Sequence, residues 1–86
     1  MFEYIERTLN NGVQRLYRFN NGYGASVVQH SFSYGADRGL WELAVVLYDD
    51  VGKWKVVYDT EITDDVIGYL AESEIELLLV RINNLK

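Results

Sequence analysis

His30 is the only histidine in the 86-residue chain, and it is the first side chain to test for chemistry. A catalytic imidazole needs a nucleophile or an orienting carboxylate within reach, and a metal site needs several ligands. Nothing at local spacing supplies either, so His30 reads as a polar residue on a strand face. No serine stands in a nucleophile elbow, and neither His-Glu-x-x-His nor phosphate-loop spacing occurs. There is no cysteine, which removes disulfides, thiolate nucleophiles and Cys-based zinc sites. We therefore expect no enzyme, no catalytic residue, no metal site and no cofactor.

Carboxylates are the next candidates. The run Asp59-Thr60-Glu61-Ile62-Thr63-Asp64-Asp65 is rich in oxygen ligands. It lacks the alternating acidic order, the glycine and the closing glutamate of a calcium loop. Residues 1–48 balance four arginines against four acids, whereas residues 49–86 carry the whole net charge of −5. Asp59, Glu61, Asp64, Asp65, Glu72, Glu74 and Glu76 fall in one stretch without a Lys or Arg among them. That balance disfavours direct binding of nucleic acid or of an anionic membrane. The 59–76 stretch has three readings: helix capping and solvation, a surface for a basic protein partner, or carboxylates that mimic DNA phosphates before a DNA-binding enzyme.

Aromatic residues supply the remaining surface. Tyr23-Gly24-Ala25 and Tyr34-Gly35-Ala36 repeat eleven residues apart, and both read as loop geometry. Asn21-Gly22-Tyr23-Gly24-Ala25 carries the Gly-Tyr-Gly of an RNA-recognition motif, without its basic residue, its second aromatic or a helix between the first two strands. RNA binding is not expected. Tyr23 and Tyr34 remain contact candidates, and with His30 they define a small-ligand or enzymatic alternative.

The elements that would hold these residues follow from turn signals and periodicity. Asn10-Asn11-Gly12 and Asn20-Asn21-Gly22 each end in Asn-Gly, the strongest short hairpin signal. They bound strand-like segments at residues 13–19 and 23–31, with Gly24 as a bulge or twist point. Residues 1–9 fit a helix stripe through Phe2, Ile5 and Leu9 with Gly12 as its C-terminal cap, but lean to a strand ahead of the first turn. A loop at 32–39 leads to Leu40–Tyr48, apolar on both faces except for Glu42 and hence central. After Asp49–Gly52, Trp54, Val56 and Tyr58 alternate with Lys53 and Lys55. Residues 60–71 fit either a turn with a short strand or a helical turn.

Ser73 with Glu76 reads as a capping box. Ile75, Leu78, Leu79, Ile82 and Leu85 then form one helical face. The expectation is a single α+β domain over 1–86: a four- to five-stranded antiparallel meander with one C-terminal helix on a face. Trp41, Leu43, Val45, Leu47, Trp54, Val56 and Tyr58 should face the helix. Leu77 and Val80 fall on its opposite side, which marks them as self-association candidates. One helix cannot cover both faces of the central strand, so a homodimer is expected.

The blocks Asn21–His30, Gly39–Val45 and Tyr58–Leu70 resemble small proteins encoded by phages and prophages of bacteria. The resemblance covers the chain from about residue 10 onward and implies no catalytic or binding residue. It implies a bacterial cytoplasm and an accessory gene product that acts by binding protein. The acidic N-terminal residues and the absence of a bilayer-length apolar run fit that location, and exclude a signal peptide and a membrane partner as expectations.

Overall fold

Two asparagine turns set the register of the first three strands. Leu9 pairs with Gly12, so the first turn is centred on Asn10-Asn11, one residue before the expected Asn-Gly. Both asparagines take left-handed φ, 49° and 64°, as a type I′ turn requires and as Asn tolerates. The second is a three-residue loop: Phe19 N–H donates to Tyr23 O, Gly22 N–H donates to Phe19 O, and Gly22 sits at φ 90°.

A computed structural model describes residues 2–86. It is an α+β fold of strands β1 (Ile5–Leu9), β2 (Gly12–Arg18), β3 (Tyr23–Gln29), β4 (Trp41–Tyr48), β5 (Trp54–Val56) and β6 (Ile67–Leu70), followed by helix α1 (Glu72–Asn83). Met1, the first residue of the segment read as a strand, lies outside the described residues. Strands β1 to β5 form an antiparallel meander in chain order. Strand β6 resolves the 60–71 segment and also pairs with β4. It takes the Trp41–Leu43 half, while β5 takes Val46–Tyr48. These two short strands therefore share one lane, interrupted by an excursion over residues 57–66.

Helix α1 lies on the face made by Ala25, Val27, Leu43 and Val45, and buries Ile75, Leu79 and Ile82 against them. Trp41 and Leu70 close the same core. The expectation that Trp54, Val56 and Tyr58 join it is corrected. Val46 pairs with Val56 and Tyr48 with Trp54, so both side chains point away from the helix. Val57 packs on the core instead, and Tyr58 is exposed. Leu47 is only half-buried, beside the edge residue Lys55. Alternation separates two faces of a strand, but the register of the Asp49–Gly52 turn decides which one meets the core.

The other face of β4 needs no second layer. Ala44 and Val46 are buried there by the sheet's own long side chains. Arg7 Nε donates to Gln14 Oε1 (2.6 Å), and Gln14 Nε2 donates to Ser26 Oγ (2.8 Å), a polar chain across three strands. The Arg18 guanidinium lies 4.9 Å above the Tyr48 ring. Gly24 leaves room for that ring: a Cβ there would meet Tyr48 Cε2 at 2.9 Å and the Tyr17 carbonyl at 1.9 Å. Close approach of backbone, rather than a bulge, is what requires glycine, since Gly24 keeps regular pairs with Arg18 and Val46.

The helix starts two residues earlier than Ser73 implies. Its N-cap is Ala71, whose N–H donates to Glu74 Oε1 (2.9 Å). Alanine has no side-chain acceptor, so only the glutamate half of a capping box forms. At the far end Asn21 Nδ2 donates to the carbonyls of Ile82 (2.9 Å), Asn83 (3.3 Å) and Leu85 (2.9 Å). Among the described residues no helix is long and apolar enough to cross a membrane.

Candidate functional site

Most backbone N–H groups of the β3–β4 connection are hydrogen-bonded, and the connection displays aromatic rings. His30 Nδ1 accepts from the Phe32 N–H (3.1 Å), and His30 N–H donates to Ser33 Oγ (3.0 Å). Tyr34 N–H donates to Glu42 Oε2 (2.8 Å), and a 3₁₀ turn over Ala36–Arg38 returns the chain to β4. Tyr34 O accepts from Tyr69 N–H (3.3 Å), which ties the connection to β6.

That tie is tight because both segments carry glycine at the contact. A Cβ on Gly68 would sit 2.6 Å from Tyr34 Cβ, and one on Gly35 would sit 3.0 Å from Tyr69 Cα. Tyr69 itself takes φ 58°, a left-handed conformation that costs a bulky L-residue about 1–2 kcal/mol. The Tyr34 and Tyr69 rings stack at 6.4 Å between centroids and 29° between planes. They remain 60% and 54% exposed. The Arg38 guanidinium lies 5.8 Å from the Tyr69 ring centroid, and Phe32, 79% exposed, extends from the same connection.

The other sequence candidates distribute around this platform unequally. Asp59, Glu61, Asp64 and Asp65 are all exposed on the 57–66 excursion, which runs directly into β6 and Tyr69. Asp65 accepts from Val66 N–H (2.7 Å) and donates its own N–H to Thr63 Oγ1 (3.0 Å). Glu72 is drawn away: its two carboxylate oxygens accept from Arg15 Nη1 at 3.0 and 3.1 Å. Tyr23 starts β3, at the opposite end from Tyr34, and packs half-buried against the core. It belongs to a strand rather than a loop, so Tyr23 and Tyr34 do not share a surface. Leu77 and Val80 are 69% and 47% exposed on the outer face of α1.

His30 lines an open hollow of about 520 Å³ with Asn11, Gln29, Ser31, Ser33 and Asp37. The nearby hydroxyls are otherwise engaged: Ser31 Oγ donates to Asn10 O (2.8 Å) and Ser33 Oγ donates to His30 O (3.0 Å). No nucleophile is hydrogen-bonded to the imidazole in this arrangement. Among the described residues no three His, Asp or Glu side chains gather as a metal site.

Arg15 anchors a second cluster beneath the helix N-terminus. Its guanidinium lies 4.1 Å above the Trp41 ring and 5.1 Å from Tyr4, with Nε buried and without an acceptor. Burial opposes its charge, but the hydrogen bond and the charge of Glu72 outweigh that and leave its pKa above the ordinary value. Burial also pushes the Tyr17 phenol up, only partly offset by Arg15. The occupant of this cluster is Arg15 itself, so it reads as packing under α1.

Tyr69, Arg38 and Gly68 escape a reading of the sequence. The one signal that bears on them is Gly68-Tyr69, an inverted echo of Tyr34-Gly35, and only their mutual approach in space gives it meaning. No protein-family model, curated protein or solved structure matches the chain.

Proposed function

We propose that this chain is a non-enzymatic accessory protein of phage type that binds a protein partner in the cytoplasm of a bacterial host. The observation that carries the binding surface is the strained, exposed Tyr69 stacked on Tyr34. Amphipathic aromatic side chains held rigid at a surface supply contact area with little entropy left to lose on binding. Backbone strain of about 1–2 kcal/mol at an exposed ring does nothing for the core, and such strain gathers where surfaces are used. The exposed carboxylates of the excursion precede Tyr69 in the chain, Asp65 by four residues, and favour a partner that carries basic residues. Self-association through Leu77 and Val80, giving a homodimer, belongs to the same reading.

Capture from a bacterial host lysate tests it. The wild-type chain should retain a defined protein. Tyr34→Ala and Tyr69→Asn, the latter chosen because Asn tolerates left-handed φ, should lose it while keeping the same circular dichroism. Retention by both variants would overturn the reading.

A second reading is favoured by four exposed carboxylates on one excursion: an acidic, DNA-mimicking inhibitor of a host DNA-binding or defence enzyme acting through 59–76. Salt separates the two. Mimicry predicts that binding falls steeply with ionic strength, whereas an aromatic platform predicts a shallow dependence.

A further inference from the structure

We propose that a second copy of this chain docks on the outer face of α1, in an antiparallel, two-fold pairing of the helices. This rests on the self-association reading above and specifies its geometry. Leu77 and Val80 form an exposed apolar stripe, continued by the small or neutral Ser73 and Asn84 at its two ends. Glu74 and Arg81 lie seven residues apart, about two turns, and so on the same flank of that stripe.

A two-fold axis crossing the helices between Leu77 and Val80 sets Leu77 of one copy against Val80 of the other. The same operation keeps each flank on its own side. Glu74 therefore meets Arg81 of the second copy, and Arg81 meets Glu74, at helices about 8–10 Å apart. Opposite charges face each other twice, and the helix dipoles run antiparallel. Glu74 Oε1 already accepts from Ala71 N–H, which leaves its other carboxylate oxygen to face Arg81.

Two other surfaces of the sheet fit a second copy less well. The β1 edge is exposed, but the self-pairings that overlap most of that strand and preserve its faces set Glu6 against Glu6 or Arg7 against Arg7. The face of β4 away from α1 is filled by its own side chains. The α1 stripe offers two apolar residues per copy, well short of the ~800 Å² each partner contributes to a standard interface. The pair should accordingly be weak and concentration-dependent.

Sedimentation equilibrium or NMR diffusion between about 10 µM and about 1 mM is the test, because association is governed by mass action. The wild type should shift from monomer toward dimer across that range. Arg81→Glu alone and Glu74→Arg alone should each raise the dimer Kd at least about tenfold, because the symmetry doubles every charge change. Mixed together, these two variants restore both Glu–Arg contacts and should form a heterodimer of about wild-type affinity. Circular dichroism of each variant separates a folding defect from a binding one, and Leu77→Gln, which keeps the charges, should weaken the dimer while leaving helicity intact. A chain monomeric at 1 mM would sink self-association and this geometry together. A dimer indifferent to Leu77→Gln and to the charge exchange would overturn the geometry alone. Capture of a partner through Tyr34 and Tyr69 is read separately and does not depend on either result.

Discussion

At Tyr17 burial and charge pull in opposite directions, and burial wins. The phenol is buried beneath α1 and its pKa stands above the ordinary 10.0, with Arg15 offsetting part of the rise. A raised pKa means that the folded state holds the proton more firmly than the unfolded one. The stabilisation is fully present below pH ~10 and is lost as pH rises through the folded value. Tyr48 is raised for the same first reason, burial, with Arg18 opposing it. We predict that the urea midpoint falls as pH rises above about 10, and that Tyr17→Phe flattens this fall. An equally steep fall in Tyr17→Phe would place the alkaline sensitivity elsewhere. Arg15 shows how one side chain joins several roles: it stacks on Trp41, holds Glu72 and shields Tyr17. Its ion pair alone, with Glu72 largely in water, contributes at most about 1 kcal/mol.

Helix α1 depends on a residue from a distant turn. Asn21 donates to the carbonyls of Ile82, Asn83 and Leu85 at and just past its C-terminal end, where carbonyls run out of intrahelical donors; of these, Ile82 O also accepts the Leu85 N–H. Asn21→Ala should cost about 1–2 kcal/mol, read as a lower urea midpoint with an unchanged slope. Asn21→Asp should cost more, because a carboxylate there faces the negative end of the helix and cannot donate. An Asn21→Asp variant as stable as the wild type would contradict this cap. The sequence shows this element clearly in outline and poorly at its ends. Ile75, Leu79 and Ile82 announce the buried face by spacing alone. The N-terminus does not, since its cap rests on the Glu74 carboxylate alone, with no capping side chain at Ala71, whereas Ser73 imitates one. Trp54 and Val56 show the same limit in a strand: period two is legible, but the face that meets the core depends on a turn's register.

The whole molecule is a one-layer sheet closed on one side by a helix and on the other by its own side chains. The central strand is apolar on both faces, and composition alone suggests that a second layer is needed. Arg7, Gln14, Ser26, Arg18 and Tyr48 remove that need by bonding across strands, a solution visible only once partners are known in space. The candidate site was half legible for the same reason. Tyr34 and the excursion carboxylates stand out by residue type, but Tyr69 and Gly68 matter only because β6 shares a lane with β5 and brings them against the β3–β4 connection. Among the apolar surfaces the chain leaves exposed are an aromatic platform on one rim and a stripe on the helix. Hydrogen–deuterium exchange of the chain with and without its captured partner tests the first of these most directly. Protection should concentrate at residues 32–38 and 66–69. Protection confined to other surfaces, with those segments exchanging unchanged, would contradict the account.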